Sequence, residues 1–252
     1  MLYLIGIGLK PEHLTLEAIE TVKKCGSVFV ETYTSQYAKG TLEELLKITG
    51  KSFKTLGRKE VEEQFDSALL SAKSNDIALL IFGNALTATT HLQILLDAKE
   101  KEIRTKIIPG ISITNMIAES GLDEYKFGRT ITICYHSEGY EPETFFDQIL
   151  ENQKIGLHTL CLLDIKKDEK PQRLMNCKEA IELLEKINKK RKKKNEFEYI
   201  ALVGMSGDMQ KIIYGKENIK QFKEIYEIYP QSLIVLGKAN EKEKEAISLL
   251  HK

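Results

Sequence analysis

Short apolar runs alternate with stretches of helical periodicity from one end of the chain to the other. In the first half the runs LYLIGI (2–7), SVFVE (27–31), SFKTL (52–56), DIALLIF (76–82) and KII (106–108) predict strands, and each is followed by a predicted helix: 15–24, 41–48, 59–73, 87–100 and 111–119. Strands that alternate with helices in this way belong to α/β layering with mostly parallel pairing. The rhythm pauses at GLDEYKFG (121–128), a glycine-bounded polar stretch that predicts a boundary between an N-terminal lobe, 1–120, and a C-terminal lobe, 121–252. It resumes with RTITICY (129–135), HTLCLLDI (158–165), YIALVGM (199–205), QKIIYG (210–215) and SLIVLG (232–237), with helices near 142–151, 175–190, 216–225 and 240–250. The close spacing of 199–205 and 210–215 predicts a hairpin, so the first sheet is expected to be mostly parallel and the second mixed. Two such lobes would leave a cleft, the usual place for a small-molecule site.

Composition narrows the partners. The chain has 252 residues, with 37 Lys and Arg against 37 Asp and Glu. A formal net charge of zero gives no overall electrostatic case for nucleic acid, whose binding rests on an excess of cations at phosphates. One run, KINKKRKKK (186–194), breaks the balance; without interleaved aromatics it reads first as the solvated tail of a helix whose negative end attracts cations. The four cysteines, Cys25, Cys134, Cys161 and Cys177, lack metal-ligand spacing and read as small core residues of a reduced compartment. The N-terminus runs straight into a strand, and no apolar run approaches the ~20 residues of a membrane span. The expectation is a soluble, cytoplasmic protein without membrane contact.

The stretch LIGIGLKPEHLT (4–15) starts like a dinucleotide-binding turn, but Pro11 stands where a third small residue would be needed. GNALTATTH (83–91) follows an apolar strand with a glycine and the hydroxyls of Thr87, Thr89 and Thr90. PGISITN (109–115) repeats that design with Ser112 and Thr114. Either turn alone is an ordinary capped connection; two on strand ends of one sheet would line a single crevice and favour a polar ligand. No metalloprotease, serine-hydrolase or phosphate-loop motif occurs, and the five histidines are scattered. His158, beside an apolar run, is expected to be a satisfied, partly buried imidazole; Asp164 reads either as a cleft carboxylate or as a turn former. A chain with so little acid–base machinery suits transfer from an activated donor such as a sulfonium, where alignment and electrostatics supply much of the rate.

The opening YLIGIGLKPEHLTLEAIETVKKCGSVFVE resembles the tetrapyrrole methylase superfamily. The blocks ETYTS (31–35), GRKEVEE (57–63), ATTH (88–91), YKFG (125–128), PETFFD (142–147) and GLHTLCLLDIK (156–166) resemble, in order and spacing, its diphthine synthase family. That resemblance implies two α/β lobes and a cofactor, S-adenosyl-L-methionine, folded in the cleft between them. It implies methylation of the modified histidine of translation elongation factor 2: three transfers to the amino nitrogen and, from the wording HTLCLLDIK, a fourth to the carboxylate. A homodimer is implied as well. Carried over block by block, the cofactor contacts are Leu9, Asn84, Thr87, Ser112, Ile113, Leu163, Met205 and Gln231, with no catalytic side chain and no metal ligand. The chain departs from the family where Gly83-Asn84-Ala85 stands for Gly-Asp-Pro, so a charge-assisted bond is replaced by a neutral one. It departs again at Gln231, where a histidine is usual, and in LVGMSGD, which lacks an arginine. Two alternatives stay open: a superfamily relative acting on a tetrapyrrole or ribosomal RNA, and an inactive cofactor-binding interaction protein.

Overall fold

The computed structural model describes residues 1–192 and 195–250. The chain divides into two compact units, Met1–Ile113 with Lys166–Gln172, and Thr114–Ile165 with Arg173–Lys252.

The first unit contains β1 (Leu2–Gly6), α1 (Leu16–Lys24), β2 (Ser27–Glu31), α2 (Leu42–Thr49), β3 (Lys54–Leu56), α3 (Arg58–Glu62), α4 (Asp66–Ser71), β4 (Ile77–Ile81), α5 (Leu92–Glu100) and β5 (Thr105–Ile108). Its five strands lie in the order β3-β2-β4-β1-β5, all parallel, as the alternating pattern predicts. β4 is apolar throughout because both of its faces are covered. Ile77, Leu79 and Ile81 pack into one core with Phe65, Leu69 and Ile94, while Ala78 and Leu80 pack into the other with Ala18, Val22 and Leu45. Local chemistry sets the helix ends. The Thr15 hydroxyl accepts the Ala18 amide at 3.1 Å, and Thr41 with Glu44 forms a reciprocal capping box ahead of α2.

Several expected helices are shorter than their periodicity suggests: that over 111–119 is α-helical only at Ile113–Met116 before a 3-10 turn, Ile117–Ser120, and that over 216–225 ends at Gln221 before a 3-10 turn, Lys223–Tyr226. The 59–73 helix is split into α3 and α4, which places Asp66 in a first turn where its charge is favourable. The helix expected over 87–100 begins only at Leu92. Before it, Ala88 adopts a left-handed φ of 54°; the Thr89 hydroxyl bonds the His91 ring and its amide, and the Thr90 hydroxyl bonds the Glu62 side chain. Ser and Thr side chains that bond locally compete with helix formation in this way.

The second unit contains α6 (Ile113–Met116, entered from the first unit), β6 (Ile131–Ile133), α7 (Thr144–Lys154), β7 (Thr159–Leu163), β8 (Ile165–Lys166), β9 (Arg173–Leu174), α8 (Cys177–Lys190), β10 (Tyr199–Val203), β11 (Lys211–Tyr214), α9 (Lys216–Gln221), β12 (Gln231–Val235) and α10 (Glu241–Leu250). Its main sheet, β11-β10-β12-β7-β6, is mixed: β10 and β11 form the expected hairpin, β12 runs antiparallel to β7, and β6 is parallel to β7. One face is covered by Phe145, Phe146 and Ile149 of α7 and by Ala180, Ile181 and Leu184 of α8. The basic run does extend the end of α8, where Lys190 and Arg191 bond Glu143 at 2.8 and 2.6 Å and Arg191 also pairs with Asp147. Residues 193 and 194 of that run lie outside the described residues.

His158 is fully buried rather than partly so. Its Nδ1 accepts the Gly237 amide at 3.0 Å, so the ring proton sits on Nε2 and is donated to Glu243 at 3.1 Å. The imidazole is therefore neutral, in keeping with burial lowering its pKa. Asp164 stitches strand ends together, its carboxylate accepting the Tyr135 amide at 3.0 Å and its own amide bonding Ile133 O at 3.1 Å. Cys25, Cys161 and Cys177 are buried free thiols and Cys134 is partly exposed.

Candidate active site

In the first sheet the chain leaves β1 toward β2 on one side, and leaves β4 toward β5 on the other. The carboxyl ends of β1 and β4 are therefore a topological switch point, where open parallel sheets hold ligands. Glycines close that end. Gly8 and Gly83 pair as an antiparallel bridge, with amide-to-carbonyl distances of 3.0 and 2.9 Å. A Cβ on Gly6 would lie 2.6 Å from both Gly110 N and Gly83 O, and one on Gly110 would lie 2.4 Å from Gly83 O. Three strand ends thus meet backbone to backbone, which only glycine allows. The dinucleotide-like glycines serve this closure; Pro11 opens a separate 3-10 turn, Pro11–His13, ahead of α1.

Five of the expected contact residues are on the loops around this floor. Leu9 is buried directly after the bridge, and its carbonyl accepts the Ala38 amide at 2.9 Å. Asn84 follows Gly83, and its carbonyl accepts the Thr87 amide at 3.2 Å, forming a tight turn. Ser112 is buried, with its Cα and Cβ 3.8 and 3.6 Å from where a Gly83 side chain would begin; Ile113 opens α6. The other three collect at one end of the second unit's sheet. Leu163 ends β7, Gln231 begins β12 opposite Val203, and Met205 follows β10; all three are buried. The Gln231 side chain is committed to its own unit. Nε2 donates to Ile225 O and Ile228 O at 2.6 and 2.8 Å, and Oε1 accepts the Cys177 amide at 2.9 Å.

The segments 31–35 and 57–63, which carry the family resemblance without an expected contact, meet 88–91 in the first unit. Glu31, wholly buried, accepts the amides of Tyr33, Thr34 and Phe82 at 3.2, 3.0 and 3.3 Å and the Thr34 hydroxyl. The Tyr33 hydroxyl meets His91 Nε2 at 3.3 Å, and burial pushes its pKa up to about 12. Burial lowers the pKa of His91. Arg58 lies 4.8 Å over the Tyr33 ring and bonds Asp168 and Glu62, each at 3.2 Å, while Glu62 accepts the Thr90 hydroxyl at 3.1 Å. Lys167 donates to Ser35 O at 2.9 Å, its pKa lowered by burial against the opposing pull of Glu31. The one sequence signal was a run of polar residues directly after an apolar strand.

The loops that carry Leu9, Asn84, Thr87 and Ser112 offer neutral amide and hydroxyl groups over a glycine floor, chemistry that suits a small zwitterionic or hydroxyl-rich molecule. Among the described residues no group of three or more His, Cys, Asp or Glu side chains could hold a metal ion, and no helix is long and apolar enough to cross a membrane.

A parallel sheet with a glycine-closed switch point, followed by a mixed five-stranded sheet, defines a class. Residues 1–218 match the family model for Tetrapyrrole (Corrin/Porphyrin) Methylases, and the chain belongs to that family of methyltransferases. Within it the chain is 37% identical over 220 residues to the diphthine synthase of Methanocaldococcus jannaschii, covering 86% of each chain. It is 36% identical over 255 residues to the diphthine methyl ester synthase of Yarrowia lipolytica, covering 94% of this chain and 84% of that one. The crystal structure of a putative diphthine synthase from Entamoeba histolytica superposes with a TM-score of 0.87 at 29% identity, covering 100% of this chain and 98% of that one.

Proposed function

We propose that the protein is a methyltransferase of diphthamide biosynthesis that uses S-adenosyl-L-methionine to methylate the modified histidine of translation elongation factor 2. The observation that carries this reading is the match to curated diphthine synthases and diphthine methyl ester synthases over most of both chains. The bound donor supplies a methyl group on a sulfonium, activated without help from a protein nucleophile. The chain's own part is placement. Leu9, Asn84, Thr87, Ser112 and Ile113 line the glycine-closed strand ends, with Leu163, Met205 and Gln231 as further donor contacts. Neutral hydrogen-bonding groups there can orient the amino acid and ribose ends of the donor. The product is expected to carry three methyl groups on nitrogen and a fourth on the side-chain carboxylate. A homodimer in the cytoplasm completes the proposal.

Titration calorimetry with S-adenosyl-L-methionine, followed by mass analysis of the elongation-factor peptide after incubation, tests it. Donor binding with stepwise gain of up to four methyl equivalents is the expected result. A final count of three removes the ester step and leaves the rest standing. Binding without transfer, or transfer to a corrin ring or RNA instead, overturns the assignment.

A further inference from the structure

The Gly83–Thr89 turn carries Asn84 and Thr87 and is held at both ends by one short segment, Glu31–Thr34. At its start the amide of Phe82 donates to the Glu31 carboxylate at 3.3 Å. At its far end the Tyr33 hydroxyl meets Nε2 of His91 at 3.3 Å, while Nδ1 of the same ring lies 2.8 Å from the Thr89 hydroxyl. The anchors are out of solvent: Glu31 is 0% exposed, His91 1% and Tyr33 2%. Between the anchors there is no helix, and Ala88 is held at a positive φ of 54° that an alanine seldom adopts unaided. Such a turn needs outside constraint to keep one shape.

We propose that Glu31 and His91 are positioning residues for the methyl donor: joined through the Glu31–Thr34 segment, they hold the Gly83–Thr89 turn in the conformation that presents Asn84 and Thr87 to the ligand. This rests on the donor-binding reading above. Neither group is a contact itself. Glu31 already accepts three backbone amides and the Thr34 hydroxyl, and both ring nitrogens of His91 have protein partners. Their effect is preorganisation, which raises affinity by reducing what must be ordered on binding.

The test is calorimetric titration of the full chain with S-adenosyl-L-methionine, alongside thermal unfolding, for Tyr33→Phe, His91→Gln, His91→Asn, Asn84→Ala and the double variant Tyr33→Phe with Asn84→Ala. Tyr33→Phe removes one hydroxyl and is expected to weaken donor binding roughly fivefold. His91→Gln, which keeps a polar group near the Nε2 position, should bind better than His91→Asn, which keeps only the Nδ1 side. The decisive reading is coupling. Tyr33 is separated from Asn84 by the turn, yet Asn84→Ala should weaken binding less in the Tyr33→Phe background than in the wild type, because a released turn no longer presents Asn84. Strictly additive effects overturn the proposal. So does wild-type donor affinity in Tyr33→Phe accompanied by a higher KM for the elongation factor, which would assign the network to the acceptor. Failure of the wild-type chain to bind the donor would instead overturn the functional reading, a separate outcome.

Discussion

Glu243→Gln should destabilise the second unit in a pH-dependent way. Glu243 is 3% exposed, and its carboxylate accepts Lys126 Nζ at 2.6 Å, His158 Nε2 at 3.1 Å, and the amides of Asn240 and Asp123 at 2.7 and 3.0 Å. Burial alone would raise its pKa; the Lys126 ammonium, the two amides and His158 outweigh burial and hold it at about 2, against an ordinary 4.5. At about 1.4 kcal/mol for each tenfold step, that depression corresponds to roughly 3 kcal/mol of folding free energy. The sign follows from linkage. A depressed carboxylate stabilises the fold fully above its unfolded value, and the contribution is lost as pH falls from about 4.5 toward 2. His158, also lowered, loses stability as pH falls below its ordinary 6.5, and that loss does not require Glu243 to titrate. The glutamine variant should therefore melt roughly 6–12 °C lower at pH 7. The two proteins should converge near pH 2. Thermal unfolding followed by circular dichroism across pH 2–8 measures both. A variant that melts within about 1 °C of wild type at pH 7 would refute the reasoning, as would a gap between the curves that does not change with pH.

Gly110→Ala should abolish folding or cost more than about 4 kcal/mol, because the added carbon would meet the backbone of Gly83 and Gly6 at 2.4 and 2.6 Å; Gly26→Ala, whose nearest neighbour would be 3.7 Å away, should be nearly neutral. Chemical denaturation of the pair checks this, with equal midpoints as the contrary result. Gln231→Leu leaves Ile225 O, Ile228 O and the Cys177 amide without their buried partner, and should cost roughly 2–4 kcal/mol in urea unfolding. Asn84→Asp should tighten S-adenosyl-L-methionine roughly fivefold in a titration, since a charged acceptor strengthens a hydrogen bond about twofold; unchanged or weaker binding would show that Asn84 does not accept from the donor.

Much of the fold was legible because its signals are local. Period-two and period-3.6 patterns name strands and helices within a few residues, and the alternation from Leu2 to Ile108 implies parallel pairing before any pairing is seen. The closely spaced runs 199–205 and 210–215 predicted the antiparallel hairpin for the same reason. Turn chemistry was less legible: the helix expected from Thr87 starts at Leu92 because Thr89 and Thr90 bond His91 and Glu62, partners that periodicity does not register.

By itself the sequence determined that the glycines at 6, 8, 83 and 110 stand at strand ends, and that polar blocks follow several apolar runs. Only the tertiary structure decided what those residues do. The strand order places β4 between β1 and β2, with Val30 opposite Leu80, so Glu31 reaches the Phe82 amide 51 positions away and Gly83 closes on Gly8. Hydrogen bonds and glycine contacts of that range depend on which strands become neighbours, a choice made by the burial of two apolar faces over the whole sheet rather than by any short stretch of chain.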